Sequence, residues 1–186
     1  MPLEDVLAQC EARMKKAIEA LRKELSTVRT GRAAPSLVEG LEVEAYGTPT
    51  PLSQLAAISA PEPRLIAIHP WDRSLLKAIE RAILASDLAL TPSSDGTLIR
   101  LQIPALSEER RRDLVRVLHK KVEDGRVEIR TLRRHAHDEL RAKEKGAGVS
   151  ADEFKRLEAR LQKLTDRYVL IADEIGESKE KEILEV

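Results

Sequence analysis

The residues best suited to do chemistry are arginines. Positions 110–141 carry Arg110, Arg111, Arg112, Arg116, Arg126, Arg130, Arg133, Arg134 and Arg141. On a helix, at about 100° per residue, Arg112, Arg116, Arg126, Arg130 and Arg133 share one face with His119 and His137. Guanidinium groups stay charged and present planar forks that match phosphate oxygens in pairs, so a one-sided arginine stripe suits a phosphate backbone. One acidic residue, Glu123, interrupts it. The competing reading is a solvated helix face laced by i,i+4 salt bridges. For the run Arg130, Arg133, Arg134 the spacing favours phosphate. Aromatic residues make up only 2% of the chain, leaving few rings for stacking on bases, so recognition is expected to be of backbone and shape.

Other chemistries find less support. The sequence has no G-x-x-x-x-G-K-[ST], no G-x-G-x-x-G and no H-E-x-x-H. His135 and His137 lie two apart and point about 200° away from one another on a helix, too divergent to chelate one ion. The single cysteine, Cys10, falls on an apolar stripe and reads as a core residue; alone it makes neither an internal disulfide nor a thiolate cluster. Trp71 follows a proline at a strand end and reads as small-domain core. No enzyme, metal or cofactor is expected. No apolar run approaches the roughly 18–20 residues of a membrane span, and no signal-like start appears, which predicts a cytoplasmic protein.

The stripe needs a long helix to carry it. Eight of the nine prolines fall within residues 31–106, which hold only 6 basic and 8 acidic residues, against 26 basic and 24 acidic in the rest of the chain. Proline interrupts helices and ladders. Two charge-dense flanks therefore enclose a proline-punctuated segment, the pattern of one domain inserted into another. In the first flank Leu3, Leu7, Cys10, Met14, Ala17, Leu21 and Val28 follow a helical rhythm, and Gly31 is a candidate C-cap. In the second, Ser107 can cap a helix with apolar positions Leu114, Leu118, Val122, Ile129, Leu132, Ala136 and Leu140, ended by Gly146-Ala147-Gly148. Ser150 and Glu153 then form a capping box. After it, Phe154, Leu157, Leu161, Leu164, Tyr168, Ile171 and Ile175 read as an uninterrupted heptad seam. Each helix presents one apolar stripe and needs partners, and a long antiparallel three-helix bundle satisfies all three. Its junctions near 31 and 106 then lie at the same end, as a two-stranded connection requires.

The insert reads as mixed α and β. Leu41–Tyr46 alternates and ends at Gly47; residues 65–68 form a short buried run; Leu76, Ile79 and Ile83 mark a helix; Thr97–Ile103 alternates again. The class is thus α+β, with the bundle on 1–30 and 107–186 and a β/α/β domain on 31–106. The overall balance of 32 basic against 32 acidic residues argues against a nucleic-acid partner only when read as a total. By segment, the predicted helix over 107–147 carries 13 basic and 9 acidic residues.

Several segments resemble the bacterial ribosome recycling factor family, and they do so in order along nearly the whole chain. They are Val28-Arg29-Thr30-Gly31-Arg32-Ala33, then Tyr46-Gly47-Thr48-Pro49-Thr50-Pro51-Leu52 with Gln54-Leu55-Ala56, then Ser86-Asp87-Leu88 and Ile99-Arg100. Glu108-Glu109-Arg110-Arg111, Arg130-Thr131-Leu132-Arg133-Arg134, Gln162-Lys163-Leu164-Thr165-Asp166 and Lys179-Glu180-Lys181-Glu182 complete the set. The resemblance implies an L-shaped molecule with a two-stranded hinge near 31–33 and 104–106, on Gly31, Ala33, Pro104 and Ala105. It implies a non-enzymatic monomer that binds large-subunit ribosomal RNA on the post-termination ribosome. With elongation factor G and GTP, such a factor splits the ribosome into subunits and releases mRNA and tRNA.

By the same resemblance Arg133 matches the arginine most associated with function, and Arg130 and Arg111 match further RNA contacts. Arg110, Arg126 and Arg134 join them from the stripe, and Arg29 and Arg32 flank the hinge glycine as RNA contacts or helix caps. Ala89 and Thr91 depart from the Gly and Asn common in the family, and His135 and His137 stand where acidic or amide residues are usual. The alternative to recycling is a coiled-coil-like protein-interaction module with no RNA role, which would self-associate through its seams.

Overall fold

In the computed structural model, residues 2–185 are described. The helical unit comprises α1 (Leu3–Ser26), α3 (Glu108–Ala147) and α4 (Ala151–Leu184); the insert holds α2 (Leu76–Ala85). Its strands are β1 (Glu42–Ala45), β2 (Thr48–Pro51), β3 (Ala56–Glu62), β4 (Leu65–Pro70), β5 (Pro92–Ser94) and β6 (Ile99–Gln102). The chain divides into two compact units, one made of residues 1–30 and 108–186 and the other of Gly31–Ser107, so Ser107 falls with the insert rather than with the helices.

The three long helices bury their stripes against one another: Val6, Leu7, Cys10, Met14, Ala17, Ile18, Leu21 and Leu25 on α1, and Leu114, Leu118, Val122, Ile129, Ala136 and Leu140 on α3. Polar ties between helices cross at the rim. Lys121 reaches Glu24 at 2.9 Å, and Arg160 reaches Glu4 at 2.6 Å. That guanidinium holds the Glu4 carboxyl below the usual carboxylate range. The Tyr168 hydroxyl donates to Glu11, 3.1 Å away, and its pKa is pushed up by burial first and by that carboxylate second. Cys10 is buried, as its place on the stripe predicts, and burial raises its thiol pKa.

Two features of the helices differ from the sequence expectation. The first helix stops at Ser26, four residues short of the candidate cap, because the hydroxyls of Ser26 and Thr27 donate to the carbonyls of Lys23 and Glu24 and satisfy the last turn locally. On α4 the buried positions are Phe154, Leu157, Leu161, Thr165, Tyr168, Ala172, Gly176 and Ile183, so the predicted seam holds at Phe154, Leu157, Leu161 and Tyr168 and fails at Leu164, Ile171 and Ile175. From Phe154 to Gly176 they step by 3, 4, 4, an 11-residue repeat of about 3.67 residues per turn, close to the 3.6 of an ideal α-helix, where a strict heptad would drift by about 20° per repeat. Ser150 caps α4 as expected, its hydroxyl accepting from the Glu153 amide at 3.2 Å. Gly148, at φ +65°, closes α3 in the left-handed conformation that glycine adopts without strain.

The insert has more strands than periodicity predicts. Strands β1 and β2 form a hairpin whose two turn residues, Tyr46 (φ 53°) and Gly47 (φ 79°), both have positive φ, the geometry of a type I′ turn. The other four strands form an antiparallel sheet in the order β3-β4-β6-β5. Proline explains the omission. Pro49 and Pro51 lie in the short hairpin, and Pro92 opens an edge strand. Pro61 lies in the other edge strand, where the register shifts between Ser59 and Glu62. These are the places where a missing N–H does no harm. Strands β4 and β6, at the centre, carry the buried Ile66, Ile68, Ile99 and Leu101, and α2 covers them with Ile79 and Ile83. Trp71 is not core: it is 67% exposed, and its amide rather than its ring is held, donating to the carbonyl of Leu55.

Candidate nucleic-acid interface

The arginines of α3 fall into two groups according to what stands beside them. Arg112 pairs with Glu108 and Arg116 with Asp113, each within one turn of the same helix. Arg126 is held from two sides, its Nε donating to Asp173 of α4 at 2.5 Å and its Nη1 to Glu123 at 2.8 Å, with 30% of its side chain exposed. Both carboxylates raise its pKa. Arg130 shares Glu123 at 3.6 Å and is more open, at 53%. Beyond Arg130 the arginines of α3 lose their carboxylate partners. Among the described residues no ion-pair partner stands near Arg133, Arg134 or Arg141, and the same holds for Arg111 and Arg29. Arg110 and Arg134 are exposed, and Arg111 and Arg133 are half-buried.

Arg133 opens onto a groove of about 380 Å3 between α3 and α4, lined on the other helix by Lys155, Glu158 and Gln162. His137 closes one side. Its Nε2 lies 2.7 Å from Glu158, and its ring packs edge-on to Phe154 with centroids 6.2 Å apart. A half-buried guanidinium with no ion-pair partner among the described residues keeps its demand for an anion while part of its hydration is removed, which makes phosphate the fitting ligand. Neither helix of the groove is long and apolar enough to cross a membrane, and this holds for every helix described.

A family model described as ribosome recycling factor matches residues 21–184. The ribosome-recycling factor of Moorella thermoacetica is 55% identical over 184 residues, covering 99% of this chain and 100% of its own. The chain belongs to the ribosome recycling factor family. A solution structure of the ribosome recycling factor superposes with a TM-score of 0.73 at 46% identity, covering 100% of this chain and 99% of that one. A further match, with a TM-score of 0.64 at 47% identity, covers 99% of this chain and 100% of the other. It belongs to models for the T. thermophilus ribosome recycling factor and the E. coli elongation factor G bound to the E. coli post-termination complex.

The remaining expected residues are spread over the chain. Arg29 follows α1 in the helical unit, and Arg32 belongs to the insert; both are exposed. Gly31 has φ +75°, and a Cβ there would stand 3.0 Å from Leu106, so the position favours glycine on two counts. The two connecting segments are fastened where they enter the insert. The Ala33 amide donates to the carbonyl of Pro63 and the Ile103 amide to that of Arg64, each at 2.7 Å, on consecutive residues of one turn. Ala89, where the family commonly carries Gly, has φ +52°, a conformation costing an L-residue about 1 kcal/mol. Lys155, Glu158 and Gln162 were given no site role from the sequence, because a periodic pattern follows one helix at a time. Their spacing of 3 and 4 on α4, beside the buried Phe154, Leu157 and Leu161, is the signal that places them at the edge of the seam.

Proposed function

We propose that the chain is the ribosome recycling factor of its cell, acting in the cytoplasm without catalysing a covalent step. It binds the ribosome after termination and, together with elongation factor G and GTP, separates the subunits so that mRNA and tRNA leave. The observation that carries this reading is a family match running over nearly the full chain, joined to an arginine face whose Arg133, Arg134 and Arg111 have no ion-pair partner among the described residues. The rRNA-binding residues in this reading are Arg110, Arg111, Arg130, Arg133 and Arg134, with Arg29 and Arg32 beside the junction; Arg126, occupied by Asp173 and Glu123, serves the helix packing first. The coiled-coil adaptor is the weaker reading, because the three long helices already bury their stripes within one chain. That closure supports a monomer.

The hinge in this proposal lies on Gly31, Pro104 and Ala105 of the expected set, with Ala33, the fourth, at its edge. Ala33 and Ile103 form its fixed ends, because their amides are latched to the Pro63-Arg64 turn. The decisive measurement is light scattering of post-termination ribosomes on addition of the factor, elongation factor G and GTP. Dissociation that requires all three is the expected result, and dissociation equal with and without the factor refutes the reading. Binding should weaken steeply with salt, each phosphate contact adding roughly one unit to the log–log slope by analogy with nucleic-acid duplexes.

A further inference from the structure

The groove beside Arg133 contains a carboxylate as well as cations. Arg133 and Lys155 face it from opposite helices, Gln162 adds an amide, and Glu158 lies between them. Left to itself, Glu158 would neutralise one of the two cations, as Glu123 does for Arg130. Instead its Oε1 is taken by His137 Nε2 at 2.7 Å. His137 is itself fixed by its edge contact with Phe154, and its Nδ1 stands 3.8 Å from Asp138. Neither Arg133 nor Lys155 has an ion-pair partner among the described residues.

We propose that the groove is a phosphodiester-binding site shared by Arg133 of α3 and Lys155 of α4, kept open by His137, which holds Glu158 away from both cations. The occupant is an RNA backbone phosphate, since two unpaired cations converge on one recess that is too open to desolvate an apolar ligand. Gln162 donates one amide hydrogen to Asp166 at 2.8 Å and keeps a second N–H and its carbonyl oxygen, which are placed to bond a ribose hydroxyl or a base edge next to that phosphate. His137 is a positioning residue here, acting on the ligand through Glu158. The inference rests on the proposed RNA contact of Arg133, and it extends the interface from one helix to two.

The test is equilibrium binding of the full chain and its variants to purified large ribosomal subunits over a series of KCl concentrations. Lys155→Ala should bind about tenfold more weakly, the loss of one charge-assisted contact, with a salt slope shallower by about one. His137→Ala should also weaken binding, as Glu158 turns onto a cation. Glu158→Gln should bind at least as tightly as the wild type, and His137→Ala/Glu158→Gln should recover that affinity. Recovery in the double variant distinguishes the role from packing, because the glutamine removes a charge and does not restore the ring against Phe154; Tm values for all variants accompany the binding data. Wild-type affinity and slope in Lys155→Ala, with Arg133→Ala weakened, overturn the shared site and leave the RNA reading standing. Wild-type affinity in both variants overturns the RNA reading itself. A double variant as weak as His137→Ala overturns the role given to His137.

Discussion

At one end of the contact between α3 and α4, Gly176 lets Val122 approach so closely that a Cβ would stand 2.8 Å from its Cγ2. Arg126 is tied to Asp173 alongside, and His119 to Glu180 at 2.9 Å. At the other end the same two helices leave a groove, with Arg133 and Lys155 unpaired across it among the described residues. The helix type and the arginine stripe are the same at both ends. What differs is the size of the residue opposite and whether a carboxylate is paired with the arginine. An arginine's role therefore follows from its neighbours on the next helix rather than from its place on the stripe.

The closed end should be the more sensitive to volume. Gly176→Val should cost at least ~2 kcal/mol of unfolding free energy, because both facing side chains are β-branched and cannot rotate apart. Gly146→Ala, where nothing stands within 4 Å, should stabilise by up to ~1 kcal/mol, and chemical denaturation measures both. At the open end Arg133→Ala should lower ribosome affinity about tenfold while leaving the denaturation midpoint in place. A shifted midpoint with unchanged affinity would erase the contrast. Arg126→Ala should do the reverse, costing ~1 kcal/mol of stability for a partly exposed double ion pair and changing affinity little. The smallest effect tests the rule directly. Ala159 lines the groove, and Ala159→Glu supplies a carboxylate that, unlike Glu158, no histidine holds. It should reduce affinity about threefold, in line with a surface ion pair of under 1 kcal/mol.

The arginine stripe, the helix stripes and the capping box at Ser150 were legible because each is a local pattern with a fixed period. The packing of α4 was misread at three positions because Thr165, Ala172 and Gly176, which are buried, are too small or too polar to register as a seam, while Leu164, Ile171 and Ile175 are larger and only partly covered. Strands β2, β3 and β5 were hidden by the prolines that edge positions tolerate. The exposure of Trp71 and the groove behind His137 depend on residues distant in sequence, and no period within one element encodes them.

The two amide bonds from Ala33 and Ile103 to neighbouring carbonyls have a consequence for the order of folding. Without the insert's structure, α1 and α3 are joined by a floppy loop of roughly 80 residues, and bringing its ends together is entropically costly. Once the insert has formed, its entry and exit segments are clamped to neighbouring residues of one turn, and the loop shrinks to the few residues on either side of the clamp. By the logarithmic dependence on loop length, this lowers the cost of closing the helices by about 2 kcal/mol. The interruption in the bundle's sequence thus becomes a staple once it folds, and the small domain can set the pace for the large one.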